Sequence, residues 1–110
     1  MPKPVPPTLR ERNRYLVFEA ISDSQFDRKA VVNSLWNSML RLYGEVGASE
    51  TSIWIMDWDE GKSRGIVKVN HKAIDRARAA IGLVGDIGGK SVILRVITVS
   101  GTLKKARENL

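Results

Sequence analysis

A mixed α+β domain, ordered strand, helix, strand, strand, helix, strand, is what this sequence of 110 residues predicts. Three observations carry the prediction. Four short stretches are rich in branched and aromatic residues and end in polar or glycine-containing turns, as strands do. Two longer stretches, 27–43 and 71–84, repeat apolar residues at intervals of three and four, the spacing of an amphipathic helix. The stretch 10–21 is the one around which the others are arranged. Its first half is a basic ladder, with Arg10, Arg12 and Arg14 alternating with Glu11 and Asn13. Its second half is apolar on both faces: Leu16, Phe18 and Ala20 point one way, Tyr15, Val17 and Ile21 the other. Such a strand is predicted to be central, with cover on each side.

Residues 1–9 hold four prolines and are expected to form an extended arm; 10–110 is read as a single domain. The first strand ends at the polar run Ser22-Asp23-Ser24. Asp27 is placed to cap the first helix, with Phe26 stapled onto Val31; Ser24 with Asp27 is a competing capping box. The stripe Val32, Leu35, Trp36, Met39, Leu40 and Tyr43 is the face expected to be buried, and Gly44 is the stop. Residues 51–58 and 64–70 read as a hairpin around Asp59-Glu60-Gly61-Lys62. Asn70 caps a second helix, which buries Ile74, Ala77, Ile81 and Val84 and is broken by 85–89. The fourth strand is 91–99, followed by a Ser100-Gly101 turn and a short basic helix capped by Thr102.

This order gives a ferredoxin-like (RRM-like) βαββαβ fold. Its four-stranded antiparallel sheet has the first and third strands in the middle and both helices on one face. The second face should then be polar, yet it is not. In the second strand Ile53 and Ile55 oppose Trp54, Met56 and Trp58; in the fourth, Val92, Leu94 and Val96 oppose Ile93, Ile97 and Val99. The C-terminal helix can fold over that face, a protein partner can cover it, or both.

Composition narrows the function. The formal net charge is +6, there is no cysteine, and there is one histidine, His71. Thiolate metal sites and disulfides are excluded, as is any site needing two imidazoles. No apolar run approaches a membrane span and no signal peptide is evident, so a cytoplasmic protein without a membrane role is expected. Excess positive charge suits a polyanion.

Motif resemblances to enzymes fail on position. Gly89-Lys90-Ser91 lacks the glycine that a phosphate loop needs at 84, where Val84 stands, and it joins a helix to a strand. Gly85-Asp86-Ile87-Gly88 matches a KH-type loop but does not lie between two helices. Asp57, Asp59 and Glu60 form an acidic turn rather than a magnesium site, and no nucleophile–base pair is evident. No catalytic residue and no metal ligand is therefore assigned. An acylphosphatase-like enzyme would need an arginine-bearing loop after the first strand, where Ser22-Asp23-Ser24-Gln25-Phe26 has none. The RNA-contact candidates are Arg10, Arg12 and Arg14 on a strand edge, Ser100, Gly101 and Thr102 at a helix start, and Lys104 and Lys105 beyond it. Residues 64–69 lack the stacking aromatics of an RRM, so backbone and shape recognition is expected rather than base stacking on the sheet.

Three segments carry a family resemblance: R-N-R-Y-L-V-F-E at 12–19, R-G-I-V-K-V at 64–69 and, most specifically, V-S-G-T-L-K-K-A at 99–106. The chain resembles the archaeal and eukaryotic ribonuclease P protein component 2 family over nearly its whole length. The resemblance implies a noncatalytic subunit of the ribonucleoprotein that removes 5′ leaders from precursor tRNA. It implies that the RNA performs the hydrolysis with magnesium, and that this chain binds no cofactor. It also implies three partners: ribonuclease P RNA, protein component 3 in a two-plus-two hetero-oligomer, and precursor tRNA indirectly. The alternative is a general RNA-binding protein, ribosomal or chaperone-like, on the same fold.

Overall fold

The computed structural model describes residues 12–110; Arg10 and the proline-rich arm lie outside the described residues. The strands β1 (Asn13–Ile21), β2 (Trp54–Asp59), β3 (Arg64–Asn70) and β6 (Ile93–Ser100) form one sheet in the order β2-β3-β1-β6. All its pairings are antiparallel, and β1 and β3 are central as the sequence predicts. The helices α1 (Arg28–Glu50) and α2 (Ile74–Gly82) cover one face. Leu16, Phe18 and Ala20 of β1 pack there with Val67 and Val69 of β3, Val31 and Leu35 of α1, and Ala77 and Ile81 of α2. A two-strand ribbon, β4 (Asp86–Ile87) and β5 (Lys90–Ser91), turns on Gly88 and Gly89, both with positive φ, and buries Ile87.

Helix α1 begins where expected. The Asp27 carboxylate accepts the Ala30 N–H at 2.8 Å, and Phe26 and Val31 are buried side by side in the sequence's predicted staple. Its buried stripe is Val31, Leu35 and Met39, whereas Val32 and Trp36 are exposed. Periodicity cannot choose between adjacent valines, and docking of Phe26 selects the first. At Gly44 the backbone takes φ 69 and ψ 179, a region open essentially only to glycine, and the helix breaks there. Residues 45–50 then form a further helical piece that the sequence reading assigns to a loop. It is seated by Thr51, whose buried Oγ1 donates to the Ala48 carbonyl at 2.6 Å. Ala48 packs with Met39 and Ala80, so β2 starts at Trp54 rather than at Thr51.

Two β-bulges alter the expected faces. The register of β2 on β3 shifts between Ile55 and Asp57, so Met56 is the extra residue. Every residue beyond it changes side. Trp58, expected to share a face with Trp54 and Met56, instead enters the helix-side core. Its indole lies 5.8 Å from the Phe18 ring and its Nε1–H donates to the Phe26 carbonyl at 2.8 Å. The second shift falls opposite the Val17/Phe18 step, where Ile97 is extra in β6. Val99 thereby joins the helix-side core rather than the face of Ile93 and Ile97. At the β2 edge the Arg28 guanidinium donates to the Ile55 carbonyl at 2.9 Å.

The middle of the other sheet face is closed by the chain itself. Helix α3 (Leu103–Arg107) crosses it, placing fully buried Ala106 on Val17 and Ile66, with Leu103, Leu110, Tyr15 and Met56 around them. Arg107 Nε donates to Asp57 Oδ2 at 2.8 Å, and Arg64 donates to the Asn109 carbonyl at 3.1 Å. The hydrogen bond that Arg107 donates to Asp57, and after it the carboxylate's charge, raises the Arg107 pKa above its ordinary value. The C-terminal helix is thus one cover of that face, as the sequence allowed.

Two substitutions test this packing. A Cβ at Gly65 would stand 2.8 Å from Trp58 Cε3 and 2.9 Å from Phe18 Cζ. Gly65→Ala should therefore cost about 1–3 kcal/mol in urea denaturation, by overpacking. Ala106→Glu should lift α3 from Val17 and Ile66, costing at least about 2 kcal/mol and raising binding of a hydrophobic dye. An unchanged urea midpoint for either variant would contradict the corresponding contact.

Candidate nucleic-acid interface

Antiparallel pairing brings the start of β1, the end of β3 and the end of β6 to one end of the sheet. Asn13 faces Asn70 there, and Tyr15 faces Ser100. The Arg12 carbonyl accepts the His71 N–H at 2.8 Å, tying the chain entry to a 3-10 turn, His71–Ala73, at the foot of α2. Asn70, buried, caps that turn by accepting the Lys72 N–H at 2.9 Å. Ser100, Gly101 and Thr102 leave β6 beside Tyr15 and lead into α3.

The sequence candidates are thus gathered at one place, though not all in the expected role. Arg12, Lys104 and Lys105 are exposed and, among the described residues, form no ion pair. Arg14 is half-buried on the row facing Val69, and its guanidinium donates to the Asn13 carbonyl at 3.0 Å. The Thr102 hydroxyl accepts the Lys105 N–H at 3.2 Å. That N–H serves the helix cap, so Thr102 acts here as a capping residue, and α3 spans only five residues. Arg10 lies outside the described residues.

Four arginines elsewhere are engaged by the fold. Arg64 and Arg95 both reach Glu19, Arg76 reaches Glu50, and Arg107 reaches Asp57. These arginines hold strands and helices together. Two cations that sequence reasoning did not place in the interface belong to it. Lys68 stands across the pairing from Tyr15 and from Trp54, and exposed Lys72 sits on the turn that Arg12 touches. Strand register would have revealed the first, since Lys68 and Tyr15 become neighbours only once β1 and β3 are paired. In the acidic turn Asp57 is held by Arg107, and Asp59 accepts the Lys62 N–H at 3.0 Å.

Fold and surface together define a ferredoxin-like protein that carries Arg12, Lys68, Lys72, Lys104 and Lys105 at the end of the sheet where β1 begins and β6 ends. The chain belongs to the Rpp14/Pop5 family, whose model matches residues 14–110. It is similar to ribonuclease P protein component 2 of Pyrococcus furiosus, 36% identical over 106 residues that cover 96% of this chain and 88% of the relative. The Pyrococcus abyssi protein of the same name is 38% identical over 106 residues, covering 96% and 90%. A chain in a cryo-EM structure of yeast ribonuclease MRP superposes with a TM-score of 0.70 at 16% identity, covering 91% of this chain and 92% of that one. That likeness shows the shared fold. Among the described residues no helix is long and apolar enough to cross a membrane.

If Lys104 and Lys105 meet phosphates, replacing both with alanine should flatten the dependence of log affinity on log salt. The expected change in slope is about 1.4 to 1.8, from single-stranded to duplex RNA. An unchanged slope, measured by filter binding across a salt series, would remove α3 from the interface.

Proposed function

We propose that the chain is a noncatalytic protein subunit of ribonuclease P, the ribonucleoprotein that removes 5′ leaders from precursor tRNA. The observation that carries this is the 36–38% identity to two Pyrococcus component 2 proteins over 96% of the chain. The described surface suits the role. It offers unpaired cations on a rigid sheet end, a pattern that positions an RNA backbone. In this reading the RNA supplies the hydrolytic chemistry with its own magnesium, and Arg12, Lys104 and Lys105 brace the RNA by its phosphates. Arg14, Ser100 and Gly101 shape the same sheet end; Arg10, outside the described residues, is a further candidate for RNA contact. Protein component 3 is the protein partner, in a two-plus-two assembly, and the complex works in the cytoplasm on precursor tRNA that this chain meets only indirectly.

Exposed apolar residues away from α3 support a protein partner. Trp36 and Val32 line a groove beside the β2 edge, and Ile21, Ile93 and Ile97 form a patch at the β6 edge. Reconstitution tests the proposal. Adding the chain with component 3 to ribonuclease P RNA at low magnesium should raise precursor-tRNA cleavage well above RNA alone. The chain alone should give no turnover. A complex that gains nothing from this chain would point to the general RNA-binding alternative.

A further inference from the structure

The open sheet face is not uniformly covered. Helix α3 starts at the end of β6 and runs diagonally, its last residues reaching Asp57 and Arg64. It thereby seals the middle of the face and leaves two opposite corners. One is apolar, where Ile21 and Ile93 face each other. The other is the row Trp54, Lys68, Tyr15, Ser100, read across β2, β3, β1 and β6. In that row Tyr15 is half-buried under the α3 cluster, while Trp54 is 64% exposed.

A large indole in water needs a reason, and its neighbours suggest one. Directly paired side chains on adjacent strands have Cβ atoms about 5 Å apart. Lys68 is the direct neighbour of Trp54, and no carboxylate shares the row. The nearest acid in β2, Asp57, is already bound to Arg107. Lys104 lies three residues before Arg107, on the same side of α3. An aromatic plane beside an ammonium that forms no ion pair among the described residues, with the strand's nearest acid neutralised, complements a base and its phosphate better than it complements an acidic or purely apolar protein segment.

Resting on the ribonuclease P RNA reading above, we infer that this corner holds an unpaired RNA nucleotide, its base stacked on the Trp54 indole and its phosphate met by Lys68. The site departs from the expectation that the sheet does not stack bases. It also differs from an RRM, because its aromatic stands on the edge strand β2 and not within β3. It adds a preference for single-stranded RNA to a surface otherwise suited to backbone contacts.

The test uses the full chain with a short single-stranded oligouridylate carrying 5-iodouridine, and an RNA duplex of equal length. Trp54→Ala should weaken the oligouridylate about tenfold and leave the duplex within about twofold, since one stacked base is the difference. Trp54→Phe should retain most of the affinity, and irradiation of the wild type should crosslink at Trp54. Trp36→Ala, which alters the α1 wall of the apolar groove that Trp54 also lines, should change nothing. Wild-type binding that Trp54→Ala leaves intact, with crosslinks elsewhere, would overturn the inference while leaving the RNA reading standing. An equal loss for Trp36→Ala would move the ligand into the groove and also overturn it, with protein-like docking as the replacement. Failure of the wild type to bind either RNA would sink both the inference and the reading on which it rests.

Discussion

The contact on which the structure depends is Ala106 seated against Val17 and Ile66. A central strand that is apolar on both sides has no stable place in a two-layer domain unless something closes the second side. Here a five-residue helix does so, small enough that its alanine lets the helix approach the sheet closely. Burial alone does not hold so short a helix. The Thr102 cap fixes its start, the Arg107–Asp57 ion pair its last residue, and the Arg64 bond to the Asn109 carbonyl the chain just beyond it. Fold and surface are therefore coupled: the element that completes the core also carries Lys104 and Lys105 and decides which corners of the sheet stay open.

The order of the four main strands and of the large helices could be read from the sequence, because it depends on local patterns: strand alternation, helical spacing, Asp27 as a cap, Gly44 as a break. The ribbon β4–β5 and the 3-10 turn that Asn70 caps ahead of α2 could not. What else could not be read depends on register. Met56 and Ile97 look like ordinary strand residues, and nothing local marks them as bulged. The bulge at Met56 sends Trp58 to the side opposite the one alternation assigns, and the bulge at Ile97 does the same for Val99. The choice of Val31 over Val32 is likewise a tertiary decision. The helical piece at 45–50 was hidden because its only buried anchor, Ala48, makes no apolar stripe.

The interface divides along the same line. Arg12, Lys104 and Lys105 were identifiable by charge and position, and they remain exposed and unpaired among the described residues. Arg14 and Thr102 were also identifiable, but the fold employs their polar groups locally. Lys68 and Lys72 join only through strand pairing and the turn at Asn70. In a chain with net charge +6, the distinction that matters is between cations engaged in ion pairs and those left free to meet an anion.

The Arg28 bond to the Ile55 carbonyl has an implication for solubility. Strand β2 borders the sheet, and a bare margin of backbone acceptors invites another chain to zip on and nucleate aggregates. A guanidinium parked on one of those acceptors, next to a bulge that twists the same margin, makes such zipping unfavourable. The subunit can thus wait in solution for its ribonucleoprotein without polymerising through that side.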